Sequence, residues 1–75
     1  MTKSEFIVFL GEFRELLQSK SFNFENNKLP DFLEAMKRYT EDIQGYYDNQ
    51  GGNIDSNIPT WENFKTILLG AAVYE

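Results

Sequence analysis

The sequence contains neither cysteine nor histidine, and these two absences exclude several classes of protein. Without cysteine, no disulfide can supplement the small core that 75 residues provide. The usual zinc ligands are both missing, and so are the cysteine nucleophile and the histidine base of the common covalent mechanisms. We therefore expect stability to come from packing, aided by self-association where packing falls short.

Basic residues are also scarce, which bears on the choice of partner. Seven Lys and Arg stand against twelve Asp and Glu, so the net charge is −5 and the pI is about 4.6. Because phosphates need a basic footprint, this balance argues against a nucleic-acid partner. It is compatible with a basic protein partner, and it also serves simply to keep a small protein in solution.

The chain has no long apolar run. The longest lies between Ile67 and Val73 and includes Gly70, whereas a membrane-spanning helix needs about 20 apolar residues. The polar residues 2–5 after Met1 show no pattern of a secretory signal. We therefore predict a soluble, cytoplasmic protein that has no membrane partner.

Residues 59–75 are the most apolar part of the chain and predict its central helix. At about 100° per residue one broad face is apolar, and it comprises Trp61, Phe64, Ile67, Leu68, Ala71 and Ala72. Leu69, Val73 and Tyr74 lie on its flanks, and only Glu62, Asn63, Thr66 and Gly70 clearly occupy the opposite arc. So apolar a helix must be covered on more than one side.

Two amphipathic helices are predicted before it. Thr2 and Glu5 form a capping-box pattern, after which Phe6, Phe9, Leu10, Phe13, Leu16 and Leu17 recur at helical spacing. Pro30 suits the first turn of the second helix, whose apolar set is Phe32, Leu33, Met36, Tyr39, Ile43 and then Tyr46 or Tyr47. Its other face carries the i,i+4 pairs Glu34–Arg38 and Lys37–Glu41.

The two connecting segments raise separate questions. Phe22 and Phe24, two residues apart between the first helices, predict a lid over the bundle, and a binding role is the alternative. Residues 48–57 predict a mobile polar loop. The loop matches a calcium-binding EF-hand poorly, because Asn53 and Pro59 replace its glycine and its bidentate glutamate. We therefore assign no metal ligand and no cofactor.

No arrangement of residues indicates catalysis. Glu34, Glu41 and Asp42 lie on a polar helix face rather than in a desolvated cleft, and Gly51-Gly52 lacks the lysine and strand of a phosphate loop. The candidate functional residues are instead aromatic and apolar. Tyr46, Tyr47 and Trp61 are candidates for a protein-binding surface, and Leu69, Val73 and Tyr74 for a contact between copies of the chain.

Four short motifs are similar to those of a known family. They are Phe24-Glu25-Asn26; Leu29 with Phe32-Leu33-Glu34-Ala35-Met36; Tyr46-Tyr47; and Pro59, Trp61, Phe64 and Ile67-Leu68-Leu69 with a terminal Ala72-Val73-Tyr74-Glu75. Together they resemble a family of small bacterial proteins known as a domain of unknown function. Its members carry Trp-Glu-Asn at the first motif, where this chain has Phe24. The likeness implies a small, mainly helical fold and no known activity.

The sequence thus predicts a single all-α domain over residues 1–75, a small three-helix bundle with the C-terminal helix central. The helices are expected at about 3–19, 30–46 and 60–74. The predicted function is a non-catalytic protein-interaction module of the bacterial cytoplasm, for example an immunity-type antitoxin that binds a basic toxin. The alternatives are a homo-oligomeric structural protein, such as a homodimer, and a small-ligand or calcium-binding domain.

Overall fold

The computed structural model describes residues 1–19 and 28–74, which form three α-helices. Helix α1 spans Lys3–Gln18, α2 spans Leu29–Asn49 and α3 spans Trp61–Val73. No strand occurs within the described ranges, and the prediction of a small all-α bundle is confirmed. The predicted lid with Phe22 and Phe24 lies outside these ranges.

The ends of α1 and α3 are set by side-chain caps. The Thr2 amide donates to Glu5 Oε1 at 2.8 Å, and the Glu5 amide donates to Thr2 Oγ1 at 3.2 Å, which completes the predicted capping box. At the start of α3, the Asn63 amide donates to Thr60 Oγ1 at 3.1 Å. These bonds satisfy backbone amides that have no partner within a helix.

Helix α2 extends three residues beyond its predicted end at Tyr46 and passes through Gly45 without a break. One glycine inside a helix costs only about 1 kcal/mol, which packing of the following turn readily offsets. That turn contains Tyr47, which is buried against α3. Of the two tyrosines that the periodicity left open for the core, the structure therefore selects Tyr47.

Helix α3 lies between the other two helices, as predicted. Tyr47 contacts Asn63 and Tyr39 contacts Gly70, so α2 runs antiparallel to α3. Phe6 contacts Trp61, whereas Phe9 and Phe13 pack with Ala72, so α1 runs parallel to it. No Cα atom of α1 lies within 8 Å of one of α2 among the residues described. The backbones of the two outer helices are thus separated by α3, although the Phe32 side chain of α2 packs against the cluster of Phe9, Phe13 and Ala72.

The interface between α1 and α3 is made of aromatic and aliphatic side chains. Its buried centre consists of Phe9, Phe13 and Ala72. Around this centre pack the partly buried side chains of Phe6, Leu16, Leu17, Phe32 and Leu68. The Phe9 and Phe13 rings are stacked with their centroids 5.5 Å apart, and the Lys65 ammonium lies 5.3 Å from the Phe9 centroid.

The interface between α2 and α3 includes two residues of the arc opposite the apolar face. Asn63 is 3% exposed and Gly70 lies directly beneath the Tyr39 ring. Helix α3 is thus covered on two sides, in line with the expectation from its apolar character. A polar amide and a glycine form part of its second contact face.

Three residues predicted to be buried are instead substantially exposed. Phe64 is 40%, Leu10 is 41% and Leu33 is 54% exposed. Each lies at an edge of its helix, and α1 and α2 do not approach closely enough to cover one another. On the polar face of α2 the two predicted ion pairs are present, at 3.1 Å for Arg38–Glu34 and 3.2 Å for Lys37–Glu41.

Candidate functional site

Two of the six predicted surface residues take part in packing within the chain. Tyr47 is 4% exposed, so its side chain can support neighbouring surface residues but cannot itself contact a partner. Trp61 is half-buried, and its ring centroid lies 5.3 Å from that of Phe6 and 5.7 Å from that of Phe64. These tilted and edge-on contacts are the preferred geometries of aromatic pairs, and they tie the first turns of α1 and α3 together.

The other four predicted residues are more accessible, but they are spread over the molecule. Tyr46, Leu69 and Val73 are exposed, and Tyr74 is half-buried just after α3. Trp61 and Val73 are the first and last residues of α3, about 18 Å apart along the axis at 1.5 Å per residue. The predicted residues therefore do not form one continuous patch around Trp61.

Tyr74 is joined to α2 by two contacts. Its hydroxyl donates to Asp42 Oδ2, and its ring lies edge-on to that of Tyr39 with a centroid distance of 5.7 Å. The hydrogen bond to Asp42 raises the pKa of the Tyr74 phenol, and burial raises the pKa of Tyr39. Both phenols are neutral near pH 7. The two contacts hold Tyr74, the residue that follows α3, against α2.

The polar loop between α2 and α3 is held by two amide side chains. Gln44 Nε2 donates to Asp48 Oδ1 at 3.0 Å and to the Ile54 carbonyl at 2.9 Å, and Gln44 Oε1 accepts from the Ser56 amide at 2.8 Å. Asn63 Nδ2 donates to the carbonyls of Asp55 at 3.2 Å and Ile58 at 2.6 Å. The second half of the loop is therefore anchored to both helices.

Two carboxylates of the loop that was compared with a calcium-binding EF-hand also accept hydrogen bonds. The Asp48 carboxylate accepts from Gln44, and the Asp55 carboxylate accepts from the amide and the side chain of Asn57. Across residues 1–19 and 28–74, no three His, Cys, Asp or Glu side chains are grouped to hold a metal ion. The carboxylates of Asp48 and Asp55 therefore take part in the hydrogen bonds that hold the loop.

A surface that the predicted residues do not include lies on the outward side of α1. Ile7 is 59% and Val8 is 60% exposed, although both are large aliphatic residues. Gly11 follows them by one turn, and a Cβ atom built on it would meet no atom of a neighbouring element within 4 Å in the described part of the chain. Glu12 and Glu15 border the same side. We call this surface, formed by Ile7, Val8, Gly11, Glu12 and Glu15, the α1 outer face.

Gly11 is the informative residue of the α1 outer face. Glycine inside a helix costs about 0.5–1 kcal/mol relative to alanine, so it usually persists where a side chain would clash. Gly70 has such a reason, since a Cβ there would overlap the Tyr39 ring. Among the described residues, no other part of the chain lies close to Gly11, which shares this openness with Gly45. A side chain at Gly11 would therefore meet no clash with these residues.

Charge gives the α1 outer face its electrostatic character. Glu12 and Glu15 are exposed and form no ion pair within the described part of the chain. The α2 carboxylates Glu34 and Glu41 are instead neutralised by neighbouring cations. Arg14 borders the face at one edge. The exposed aliphatic residues are thus flanked by two carboxylates that make no ion pair among the described residues, with one arginine at the edge.

No helix in the described ranges combines the length and apolar character required to cross a membrane. Comparison with known proteins adds one match. The model of DUF7660, a family of unknown function, matches residues 2–75, nearly the full chain. No curated protein and no solved structure is matched by this sequence.

Proposed function

The chain belongs to DUF7660, a family of unknown function, and from that premise we propose that it is a non-catalytic protein-binding module of the bacterial cytoplasm. The observation that carries the proposal is the α1 outer face. Two aliphatic side chains that each expose more than half of their surface lie beside a glycine whose Cβ position is open among the described residues. A partner that packs closely over Gly11 would bury Ile7 and Val8 and account for all three residues.

The chemistry of the remaining surface supports binding rather than catalysis. The carboxylates are exposed, paired in ion pairs or engaged in caps and turns across residues 1–19 and 28–74. For Glu5, the hydrogen bonds from Thr2 lower the pKa, as expected for a capping carboxylate rather than a general acid. The proposal therefore assigns the chain no reaction.

The test is affinity capture from the native organism with two matched double variants. Ile7→Ser with Val8→Ser removes the apolar part of the α1 outer face. The control, Leu69→Ser with Val73→Ser, removes two exposed aliphatic side chains from α3. The captured protein is identified by mass spectrometry, purified, and its affinity is measured by calorimetry. We expect at least about a tenfold loss of affinity for the α1 variant only, equivalent to about 1.4 kcal/mol.

Equal affinity of the α1 variant and the wild type would contradict this assignment. Loss of binding in the α3 variant alone would move the partner surface to Leu69 and Val73. Both double variants alter exposed residues, so thermal unfolding should remain close to that of the wild type. Circular dichroism checks that both are folded.

A narrower form of the proposal is an immunity-type antitoxin that neutralises a basic toxin. The net charge of −5 supports it, because opposite charges accelerate association. Co-expression with a toxin encoded beside this gene should abolish toxicity, and the Ile7→Ser, Val8→Ser variant should fail to protect. Absence of binding to that toxin at micromolar concentration would remove this form and leave the general proposal standing.

A second candidate is a homo-oligomeric structural protein. It is favoured by the exposure of Leu69, 37%, and Val73, 45%, which lie one turn apart on the solvent side of α3. Light scattering should then report a dimer or larger species, and Leu69→Ser with Val73→Ser should convert it to a monomer. A monomeric wild type at tens of micromolar would eliminate this candidate.

A further inference from the structure

We propose that the partner bound by the α1 outer face presents a basic amphipathic α-helix, which crosses α1 at Gly11. This inference rests on the proposed function and names the chemistry of the partner. Its apolar residues would lie on Ile7 and Val8, and its Lys or Arg side chains would pair with Glu12 and Glu15. The carboxylates would then gain the cations that the described part of this chain does not supply.

The first step of the argument is the shape of the surface. Ile7, Val8 and Gly11 lie on neighbouring turns of one straight helix, so they present a short ridge with a gap at the glycine. Among residues 1–19 and 28–74, nothing outside the glycine's own stretch of α1 lies within 4 Å of the position of a Gly11 Cβ. Helices pack at interaxial distances of about 8–10 Å, and small residues at the crossing point permit the shortest of these. A second helix is therefore the element whose shape fits best.

The second step is the charge of the surface. Glu12 and Glu15 flank the aliphatic residues, whereas the nearby Lys65 is turned over the Phe9 ring. An acidic helix would meet both carboxylates with like charge, which costs binding energy, while a basic helix would be attracted to them. A second copy of this chain is disfavoured for the same reason, because each copy carries a net charge of −5.

The probe is a synthetic helical peptide of about five turns with leucine on one face and lysine on the other. A matched peptide carries glutamate in place of every lysine. Binding is followed by fluorescence anisotropy and by amide chemical shifts of the isotope-labelled full chain. We expect the lysine peptide to bind, more weakly at higher salt, with the largest shifts at Ile7, Val8, Gly11, Glu12 and Glu15. The glutamate peptide should not bind.

Two pairs of variants locate the contact. Gly11→Leu fills the gap and should weaken the lysine peptide at least about tenfold, whereas Gly45→Leu, at another exposed helical glycine with no neighbour, should leave its affinity unchanged. Glu12→Gln with Glu15→Gln should weaken binding about fivefold and reduce its salt dependence. Glu34→Gln with Glu41→Gln removes the same charge from α2 and should have a smaller effect.

Gly11→Leu also raises helix propensity, so the folded state should be retained and a loss of binding cannot be attributed to unfolding. The proposal is overturned if the lysine peptide does not bind at millimolar concentration or shifts residues of another surface. It is equally overturned if Gly11→Leu binds as well as Gly45→Leu. Equal binding of both peptides would assign the surface to an uncharged apolar partner.

Shifts at the α1 outer face that depend on protein concentration without peptide would assign it to a second copy. The capture experiment separates this inference from the proposed function. If the partner captured from the native organism is lost with Ile7→Ser and Val8→Ser while the lysine peptide fails, the binding module stands and the basic helix is wrong.

Discussion

The two sides of α3 are held by different kinds of contact. Towards α1 the contact consists of tilted and edge-on rings, Phe6 with Trp61 and Phe6 with Phe64, and of Phe9 and Phe13 packed against Ala72. Towards α2 it includes a buried hydrogen bond from Tyr47 to Asn63 and a ring seated on Gly70. Apolar contacts stabilise many similar arrangements, whereas a hydrogen bond and a glycine contact tolerate only one. The α1 side should therefore accept substitutions that the α2 side rejects.

The largest effect is expected for Asn63→Ala. Truncation would leave the buried Tyr47 hydroxyl without its acceptor and would remove one of the two hydrogen bonds that the carbonyls of Asp55 and Ile58 each accept. The free energy of unfolding should fall by about 3 kcal/mol. Urea denaturation measures the loss. Asn49→Ala, at the exposed end of α2, is the control and should change stability by less than about 0.5 kcal/mol. Similar losses for the two variants would show that the buried amide does not hold the interface.

The next prediction is that alanine substitutions at two glycines change the free energy of unfolding in opposite directions. Gly70→Ala would place a Cβ against the Tyr39 ring and should destabilise the chain by about 2 kcal/mol. Gly45→Ala meets no neighbour and should stabilise it by about 0.5–1 kcal/mol. Thermal and urea unfolding report both changes. If Gly70→Ala were also stabilising, the close approach of α2 to α3 would be disproved.

A smaller loss is expected for Tyr47→Phe. The ring remains in the core while Asn63 Oδ1 loses its donor at 2.6 Å, which should cost about 1.5 kcal/mol. A double variant with Asn63→Ala tests the coupling. Its loss of stability should be smaller than the sum of the losses in the two single variants. Full additivity would mean that the two side chains act independently.

The smallest loss belongs to the α1 side. Phe9→Leu keeps an apolar side chain in the cluster with Phe13 and Ala72, and it should cost about 1 kcal/mol. Equilibrium unfolding in urea provides the value for comparison with Asn63→Ala. A loss as large as that of Asn63→Ala would erase the proposed difference between the two interfaces.

Much of the fold follows from local sequence patterns. The Thr2–Glu5 capping box, the Thr60 cap and the α2 ion pairs depend on residues close in sequence, and each appears as predicted. The central place of the last helix follows from its broad apolar face. Such features need no knowledge of the distant neighbours that complete the bundle.

Other features depend on a distant neighbour that decides the role of a residue. The sequence pattern of α3 does not show that Asn63 and Gly70 contact Tyr47 and Tyr39. Phe64 and Leu10 look buried until the separation of α1 from α2 is known. A pattern of hydrophobicity records the character of a side chain but not the element that covers it.

The candidate site was only partly predictable for the same reason. Ile7 and Val8 fall outside the apolar stripe of α1, so their exposure could be expected. The significance of Gly11 depends on the empty space around it, which only coordinates reveal. Conversely, Tyr47 and Trp61 were chosen for their aromatic character, and their rings prove to be used within the chain.

The anchoring of the α2–α3 connection has a practical consequence for protein engineering. Gln44 and Asn63 hold residues 54–58, whereas Gly51, Gly52 and Asn53 are exposed before the first of these anchors. A peptide tag or a reporter domain inserted after Gly52 would lengthen the chain at a point where neither Gln44 nor Asn63 makes a hydrogen bond to the loop. This turn is thus the natural place to label the molecule while leaving the α1 outer face uncovered.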